Sequence, residues 1–248
     1  MAARSILGRL QHGLRRHDWA AVAIELAIVV LGVFIGIEAS NWNQARRDRA
    51  EERRYYAQVI DDLRKDQATL QVAIERTARH DEAAEKTLAA ISTGAVPRSE
   101  PAQFATRIHY AGFLYLPRPA RRTYDELVST GNLGLLRDPK LKAAIADYYE
   151  AFEESRQWDG LLRSQQDRYW DLTAGVLPRP ILRAAIRGHT PAVTEVEAQE
   201  ILRRARARER LPDLLMGMAA HHERVRRDSE MLAEENRALV TLLERNSR

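Results

Sequence analysis

The chain has no cysteine in 248 residues. That excludes a thiol nucleophile, a cysteine zinc site and a disulfide framework, and leaves the redox compartment open. Lysine is almost missing: Lys65, Lys86, Lys140 and Lys142 stand against a background of arginine. With abundant alanine, this bias reports a GC-rich genome rather than a binding specificity. No charge of one sign dominates. With 30% charged residues the formal net charge is only +4, so the chain lacks the global basic field of nucleic-acid binders. No glycine loop of the phosphate-cradling kind appears, nor a convincing strand pattern or an internal repeat. Proline and glycine are absent between Asn41 and Thr93, which removes the usual helix breakers from a long stretch.

What the chain does have is one long apolar run. Residues 20–39 contain eleven Val, Ile, Leu or Phe. As a helix they would span roughly 30 Å, the thickness of a bilayer's hydrocarbon core. On an insertion scale those eleven contribute roughly −3 to −6 kcal/mol together. An acidic residue at the bilayer centre costs about 2.5–3.5 kcal/mol. Glu38 sits at one edge, and Glu25 is little more than a turn inside the other, so their cost falls below that and insertion wins. A soluble core helix is usually shorter and less uniformly apolar. A cleaved signal peptide has a shorter apolar run, and Ile37-Glu38-Ala39 is a poor cleavage site. The expected organisation is a basic leader over 1–18, a transmembrane helix over 19–40 bracketed by Trp19 and Trp42, a membrane-proximal helix over 41–92, and the remaining helices over 93–248.

Orientation is nearly balanced by the positive-inside rule, with Arg4, Arg9, Arg15 and Arg16 before the span and Arg46, Arg47, Arg49, Arg53 and Arg54 after it. A short basic leader favours an N-terminus in the cytoplasm and a body outside it. The expected location is a bacterial inner membrane with one pass and a periplasmic body. The bilayer is then the first partner. Gly32 and Gly36 form a GxxxG that Ser40 extends. Glu25 precedes the glycines by seven and eleven residues, which at about 100° per residue puts it within about 20° of both. Glu25, Gly32, Gly36 and Ser40 thus mark a candidate packing stripe for a second copy or another membrane protein.

Beyond the span, apolar residues recur at helical spacing in 41–92 (Tyr56, Val59, Leu63, Leu70, Ile74, Ala84, Leu88, Ile91), with charged residues on the other faces. Asp61–Lys65 and Glu82–Lys86 are favourable surface pairs there, and Asp62, Arg64 and Asp66 read as part of the same charged surface. Breaks fall at 93–101 and at Leu116-Pro-Arg-Pro119. Between and after them the pattern predicts helices over about 102–115, within 121–133, from an Asp138 N-cap and Pro139 to about Ala174 with a weak point at Gly160, over 181–187, over Thr194–Arg210, and from Pro212 to about Glu244. In the last helix Met218, Val225, Leu232 and Leu239 recur every seven residues. Leu215, His222, Ser229, Asn236 and Leu243 stand at the alternate seam position. This is the spacing of a short coiled coil. Three polar residues in five make a dry inter-chain seam costly and favour packing on the 41–92 helix of the same chain.

Two blocks are familiar. Residues 24–47, with Glu25 and Asn41-Trp42-Asn43 followed by Gln-Ala-Arg-Arg, resemble the N-terminal region of an uncharacterised family of bacterial membrane-anchored proteins. Thr123-Tyr-Asp-Glu-Leu-Val-Ser-Thr-Gly-Asn-Leu133, followed by Leu-Leu-Arg-Asp-Pro and an Ile-Ala-Asp-Tyr-Tyr helix, is similar to that family's second block. The resemblance implies a bacterial single-span protein and no activity, and it carries no catalytic residues to this chain. Residues 175–248 lie outside it. In the second block Ser129-Thr130-Gly131-Asn132 reads as a helix C-terminus with a left-handed glycine. The plain reading is a tight inter-helix corner. The functional one is a ligand-binding corner using Tyr124, Asp125 and Asn132.

Other chemistry is sparse. His221-His222-Glu223 is the densest ligand-like cluster, but neighbours on a helix point about 100° apart and cannot share a metal as an i, i+4 pair does. Glu153, Glu154, Asp167 and Asp171 are solvated helix charges unless the fold gathers them. Arg203, Arg204, Arg206, Arg208 and Arg210 could meet anionic lipid headgroups. They lack the interleaved aromatics that stacking on nucleic acid needs, and Glu200 and Glu209 partly neutralise them. No cofactor, metal site or catalytic residue is indicated, and nucleic acid is not an expected partner. The expected fold is all-α: one transmembrane helix continuing into a long helix, with an elongated antiparallel bundle. The leading function is a non-enzymatic, membrane-anchored interaction or sensory module. The alternatives are an enzyme with its site inside the bundle, which would want Glu-x-x-His pairs that are absent, and a membrane-tethered nucleic-acid binder.

Overall fold

The computed structural model describes residues 19–246, the side chains of 19–22 apart; the basic leader over 1–18 lies outside the described residues. The helices are α1 (Trp19–Thr93), α2 (Pro101–Tyr110), α3 (Arg122–Ser129), α4 (Pro139–Arg156), α5 (Asp159–Thr173), α6 (Arg179–Ile186), α7 (Glu195–Arg206) and α8 (Leu211–Asn246), with a 3₁₀ turn over Asn132–Leu135. Among the described residues there is no strand, so the fold is all-α. The chain divides into two compact units, Met1–Arg54 and Tyr55–Arg248.

In the first unit the large apolar side chains from Ile24 to Ile37 are exposed. Polar side chains take over from Glu38, with local pairs such as Gln44 to Asp48 (2.8 Å) and Arg54 to Glu51 (3.2 Å). This helix is long and apolar enough to cross a membrane.

The second unit has two apolar cores. One gathers Tyr55, Val59, Leu63 and Leu70 of α1 with Leu127 of α3, the inner face of α4 from Leu141 to Phe152, and Leu232, Leu239 and Leu243 of α8. The other gathers Ala84 and Ile91 of α1 with Phe104 and Ile108 of α2, Tyr169 of α5, Ile181 of α6, Ile201 of α7, and Leu215 and Met218 of α8. Helices α1 and α8 serve both cores and run antiparallel: Arg64 meets Glu244, the Leu63 carbonyl meets Asn236, and His80 lies beside His222. All nine seam residues of α8 are buried against the same chain. The seven-residue spacing therefore builds an intramolecular seam in this body.

Local signals explain most boundaries. Asp138 accepts from the amides of Lys140 and Leu141 and starts α4, with Pro139 behind it. Thr194 and Glu197 form a reciprocal capping box at the start of α7. Gly131, at φ 74°, turns the chain after α3 as expected.

Three helices differ from the sequence reading. The helix expected over 102–115 stops at Tyr110 because Tyr169 packs on Gly112. A Cβ there would stand 2.2 Å from the Tyr169 ring. The helix expected over 138–174 is two, α4 and α5, and the break is at Gln157–Trp158 rather than Gly160. The turn sends Phe152 into one core and Tyr169 into the other. Helix α7 ends at Arg206, so the basic run 203–210 straddles a helix end and is not one helical face.

Candidate functional site

The most heavily built polar site is a buried acidic corner. Asp62 and Asp66 stand one turn apart on α1, 5% and 0% exposed. Asp62 accepts hydrogen bonds from the Thr123 amide (3.0 Å), the Thr123 hydroxyl (2.7 Å) and the Lys65 ammonium (3.1 Å). Helix α3 has no side-chain cap from its own N-cap residue, Arg121. Asp62 supplies that cap from another helix, satisfying an N–H that the helix start leaves open. Asp66 accepts from the Ala120 amide (2.5 Å) and the Tyr148 hydroxyl (3.1 Å). The Ala120 carbonyl takes the Tyr149 hydroxyl at 3.2 Å, so both polar groups of that residue are held. Asn236 of α8 closes the network, donating to Tyr148 (3.1 Å) and to the Leu63 carbonyl (2.9 Å).

The two carboxyls are tuned oppositely. Burial pushes Asp62 up, but the Thr123 hydroxyl and amide and the Lys65 ammonium outweigh it and leave the group below the usual aspartate value. Burial lifts Asp66 to about 6, against the Ala120 amide and Tyr148. The same burial raises the Tyr148 phenol, with Asp66 adding to it. Asp62 and Asp66 are therefore not surface charge as expected; the exposed Asp61 shares Lys65 with Asp62, at 2.7 Å against 3.1 Å. The signal was present: positions 59, 63, 66, 70 and 73 follow the apolar stripe of α1, and Asp66 falls on it.

A second buried cluster was missed because its members are far apart in sequence. His80 of α1, His109 of α2 and His222 of α8 gather around Phe113, with ring centroids 5.9 Å apart for His80–Phe113, 4.9 Å for His109–Phe113 and 5.9 Å for His80–His222. His222 Nε2 lies 2.9 Å from the Phe113 carbonyl oxygen. The Nδ1 atoms of all three rings are buried without a hydrogen-bond partner. Burial lowers His80 and His222 to about 4; His222, Arg79 and Arg76 add to it at His80, His221 adds to it at His222, and the Phe113 carbonyl opposes it at both. Burial alone lowers His109. All three are therefore neutral at pH 7. Among the described residues no three His, Cys, Asp or Glu side chains stand where they could hold a metal ion.

The candidates read from sequence fall elsewhere. Glu25, Gly32, Gly36 and Ser40 lie on one exposed face of α1, and a Cβ added at either glycine meets nothing within 4 Å. Tyr124 stacks on Tyr149 (centroids 4.7 Å apart), Asp125 pairs with Arg121 (2.8 Å), and Asn132 donates to the Tyr55 hydroxyl (3.0 Å). Each of these three is engaged by a different neighbour. Arg203 and Arg204 both close on Glu200, Arg208 donates to the Ala174 carbonyl (3.0 Å), the Arg206 guanidinium lies against Gly94, and Arg210 lines a groove beside α8. Glu153 is shared by Arg121 and Arg156. The His221-His222-Glu223 trio diverges as helix geometry requires: His222 is buried, His221 is half-buried, and Glu223 pairs with Arg226.

These features define an all-helical protein whose long first helix carries an apolar N-terminal run and whose body is pinned by buried polar contacts. The chain belongs to a family of unknown function (DUF6090), whose model matches residues 25–168. The match contains Asp62, Asp66, Thr123 and Tyr148 of the acidic corner, and stops short of Asn236 and His222. No curated protein and no solved structure matches the chain.

Proposed function

We propose that this protein is a bacterial, single-pass membrane-anchored helical module of the sensory or interaction type, non-enzymatic, with its body on the periplasmic side of the inner membrane. The observation that carries the reading is the contrast along α1. The ten Val, Ile, Leu and Phe side chains from Ile24 to Ile37 are 43–67% exposed, whereas Val59, Leu63 and Leu70 are fully buried. An apolar surface that long and that continuous is not left to water. A bilayer satisfies it on every side.

The binding character is supported by how the buried ionisable groups are used. Asp62 and Asp66 hold a helix start and a loop, and His222 stands among rings and a backbone carbonyl. All three side chains are buried and engaged by the fold itself. The Glu25, Gly32, Gly36 and Ser40 face offers a lateral surface within the membrane to a second copy or another span.

Alkaline carbonate washing of vesicles is the test. The intact chain should stay in the pellet, and a reporter fused at the C-terminus should be active only outside the cytoplasm. Release into the wash, or a mature chain beginning near residue 40, would overturn the anchor. A reporter active only in the cytoplasm would overturn the side.

A further inference from the structure

A groove of about 680 Å³ lies between α5 and the start of α8, wholly within the second unit. That is the size of a small-molecule site. One wall is Gln165, Arg168, Asp171 and Leu172; the other is Arg210, Asp213, Leu214, Gly217 and His221. Each wall thus presents one arginine and one aspartate three residues apart. Some arginines of this chain close on a carboxylate three or four residues away, as Arg203 and Arg204 do on Glu200 and Arg156 does on Glu153. Arg168, Asp171, Arg210 and Asp213 make no side-chain hydrogen bond or ion pair among the described residues, and two charges of each sign are left facing the same space. Leu172 and Leu214 are half-buried against the neighbouring core and form an apolar floor. Gly217 lies in the α8 wall, and a Cβ added there would meet nothing within 4 Å, so the space beside it is open.

We propose that this groove binds a small zwitterion of the amino-acid class, a free amino acid or a short peptide with an aliphatic side chain. An anion alone would leave Asp171 and Asp213 facing it, and a cation alone would leave Arg168 and Arg210. A ligand carrying one carboxylate and one ammonium matches both pairs: the guanidinium groups fork onto the carboxylate, the aspartates take the ammonium, and the aliphatic part lies on Leu172 and Leu214. His221, lowered by burial and by Arg224, is neutral at pH 7 and adds a hydrogen-bonding wall without adding charge. The proposal deepens the sensory reading by naming a ligand, and takes from that reading only the compartment.

The test is calorimetric titration of the full chain in detergent micelles with L-leucine and, separately, with L-leucyl-L-leucine. N-acetyl-L-leucine and L-leucinamide serve as charge-blocked controls. Saturable binding is expected to one unblocked probe, and which one it is distinguishes a free amino acid from a peptide. Both blocked probes should bind at least about tenfold more weakly. Arg168→Gln and Asp213→Asn, both at exposed positions, should each weaken binding about tenfold, and Gly217→Phe should abolish it. No saturable heat with either probe would overturn the proposal. So would equal binding of the blocked probes, or unchanged affinity in Arg168→Gln and Asp213→Asn. The two charge variants keep the test decisive if Gly217→Phe fails to fold. A cytoplasmic C-terminal reporter would sink the periplasmic reading and leave this titration untouched, so the two failures are separable.

Discussion

Asp62 and Asp66 are the same residue type one turn apart on one helix, and the fold uses them in opposite ways. Asp62 is a carboxylate kept ionised by three donors, two of them from Thr123. Removing it leaves the α3 amide and the Thr123 hydroxyl buried without an acceptor. A charge-assisted hydrogen bond is worth about 1.5–3 kcal/mol, so Asp62→Ala is expected to cost about 2–3 kcal/mol. In a body of this size that lowers the midpoint of thermal unfolding by several degrees, roughly 2–4 °C per kcal/mol. Thr123→Val, which keeps the amide and loses only the hydroxyl, should cost about 1 kcal/mol. Asp66 is buried against its ionic form. Asp66→Asn removes that burden, so at pH 8 it is expected to be neutral or stabilising although it sits deeper than Asp62. Thermal melts followed by circular dichroism at pH 8 check the order. If Asp62→Ala and Asp66→Asn lose equal stability, the opposite tuning is refuted.

At the scale of elements, the legible parts of the fold are those whose partner is generic. The apolar run before Trp42 is plain because it leaves no polar face on the helix, whatever surrounds it. The α8 seam is plain because its spacing marks the buried face whatever it packs on. The cost of three polar residues in that seam argued for an intramolecular partner, and Asn236 does pair with the Leu63 carbonyl and Tyr148. The illegible parts depend on one specific distant residue. The end of α2 is set by Tyr169 against Gly112, the start of α3 by Asp62, and the histidine cluster by three helices meeting at Phe113. Gly112 is a local mark near the end of α2, since glycine continues a helix poorly, but it does not name Tyr169 as the partner, and nothing around 157 announces the break there. The exposed face with Gly32 and Gly36 belongs to the generic class as well, because small residues four apart permit close helix approach by geometry alone. If that face joins two copies, Gly32→Leu and Gly36→Leu should each reduce membrane crosslinking of the dimer several-fold, while Val33→Leu on another face should leave it unchanged. Equal crosslinking in all three variants removes the stripe.

At the scale of the whole molecule, the buried histidines and Asp66 act against each other as pH falls. His222 is shifted from 6.5 to about 4 by burial. The folded chain therefore binds that proton less tightly than the unfolded one. The stability this confers is complete above about pH 6.5 and is lost as pH falls toward 4, about 3 kcal/mol over the window at 1.36 kcal/mol per pKa unit. Asp66, raised from 3.8 to about 6, has the reverse sign. The folded chain binds its proton more tightly, so stability rises by a similar amount, about 3 kcal/mol, as pH falls from 6 to 4. These two nearly cancel, and the balance falls to the remaining groups. His80, His109 and His221 are lowered and share the sign of His222, while Asp81, raised by burial and its acidic neighbours, shares that of Asp66; three histidines against one aspartate leave the body expected to lose stability on mild acidification. Asp62, held below its ordinary value, adds a further loss only below about pH 4. Thermal midpoints should therefore fall between pH 7 and pH 4.5. His222→Gln, whose amide can still donate to the Phe113 carbonyl, should be less stable than the parent at pH 7.5 and close the gap at pH 4.5. Asp66→Asn should steepen the fall, because it deletes a buried group that acid stabilises. Parallel pH profiles for the parent and both variants would mean that the stability of this body is not linked to those protons.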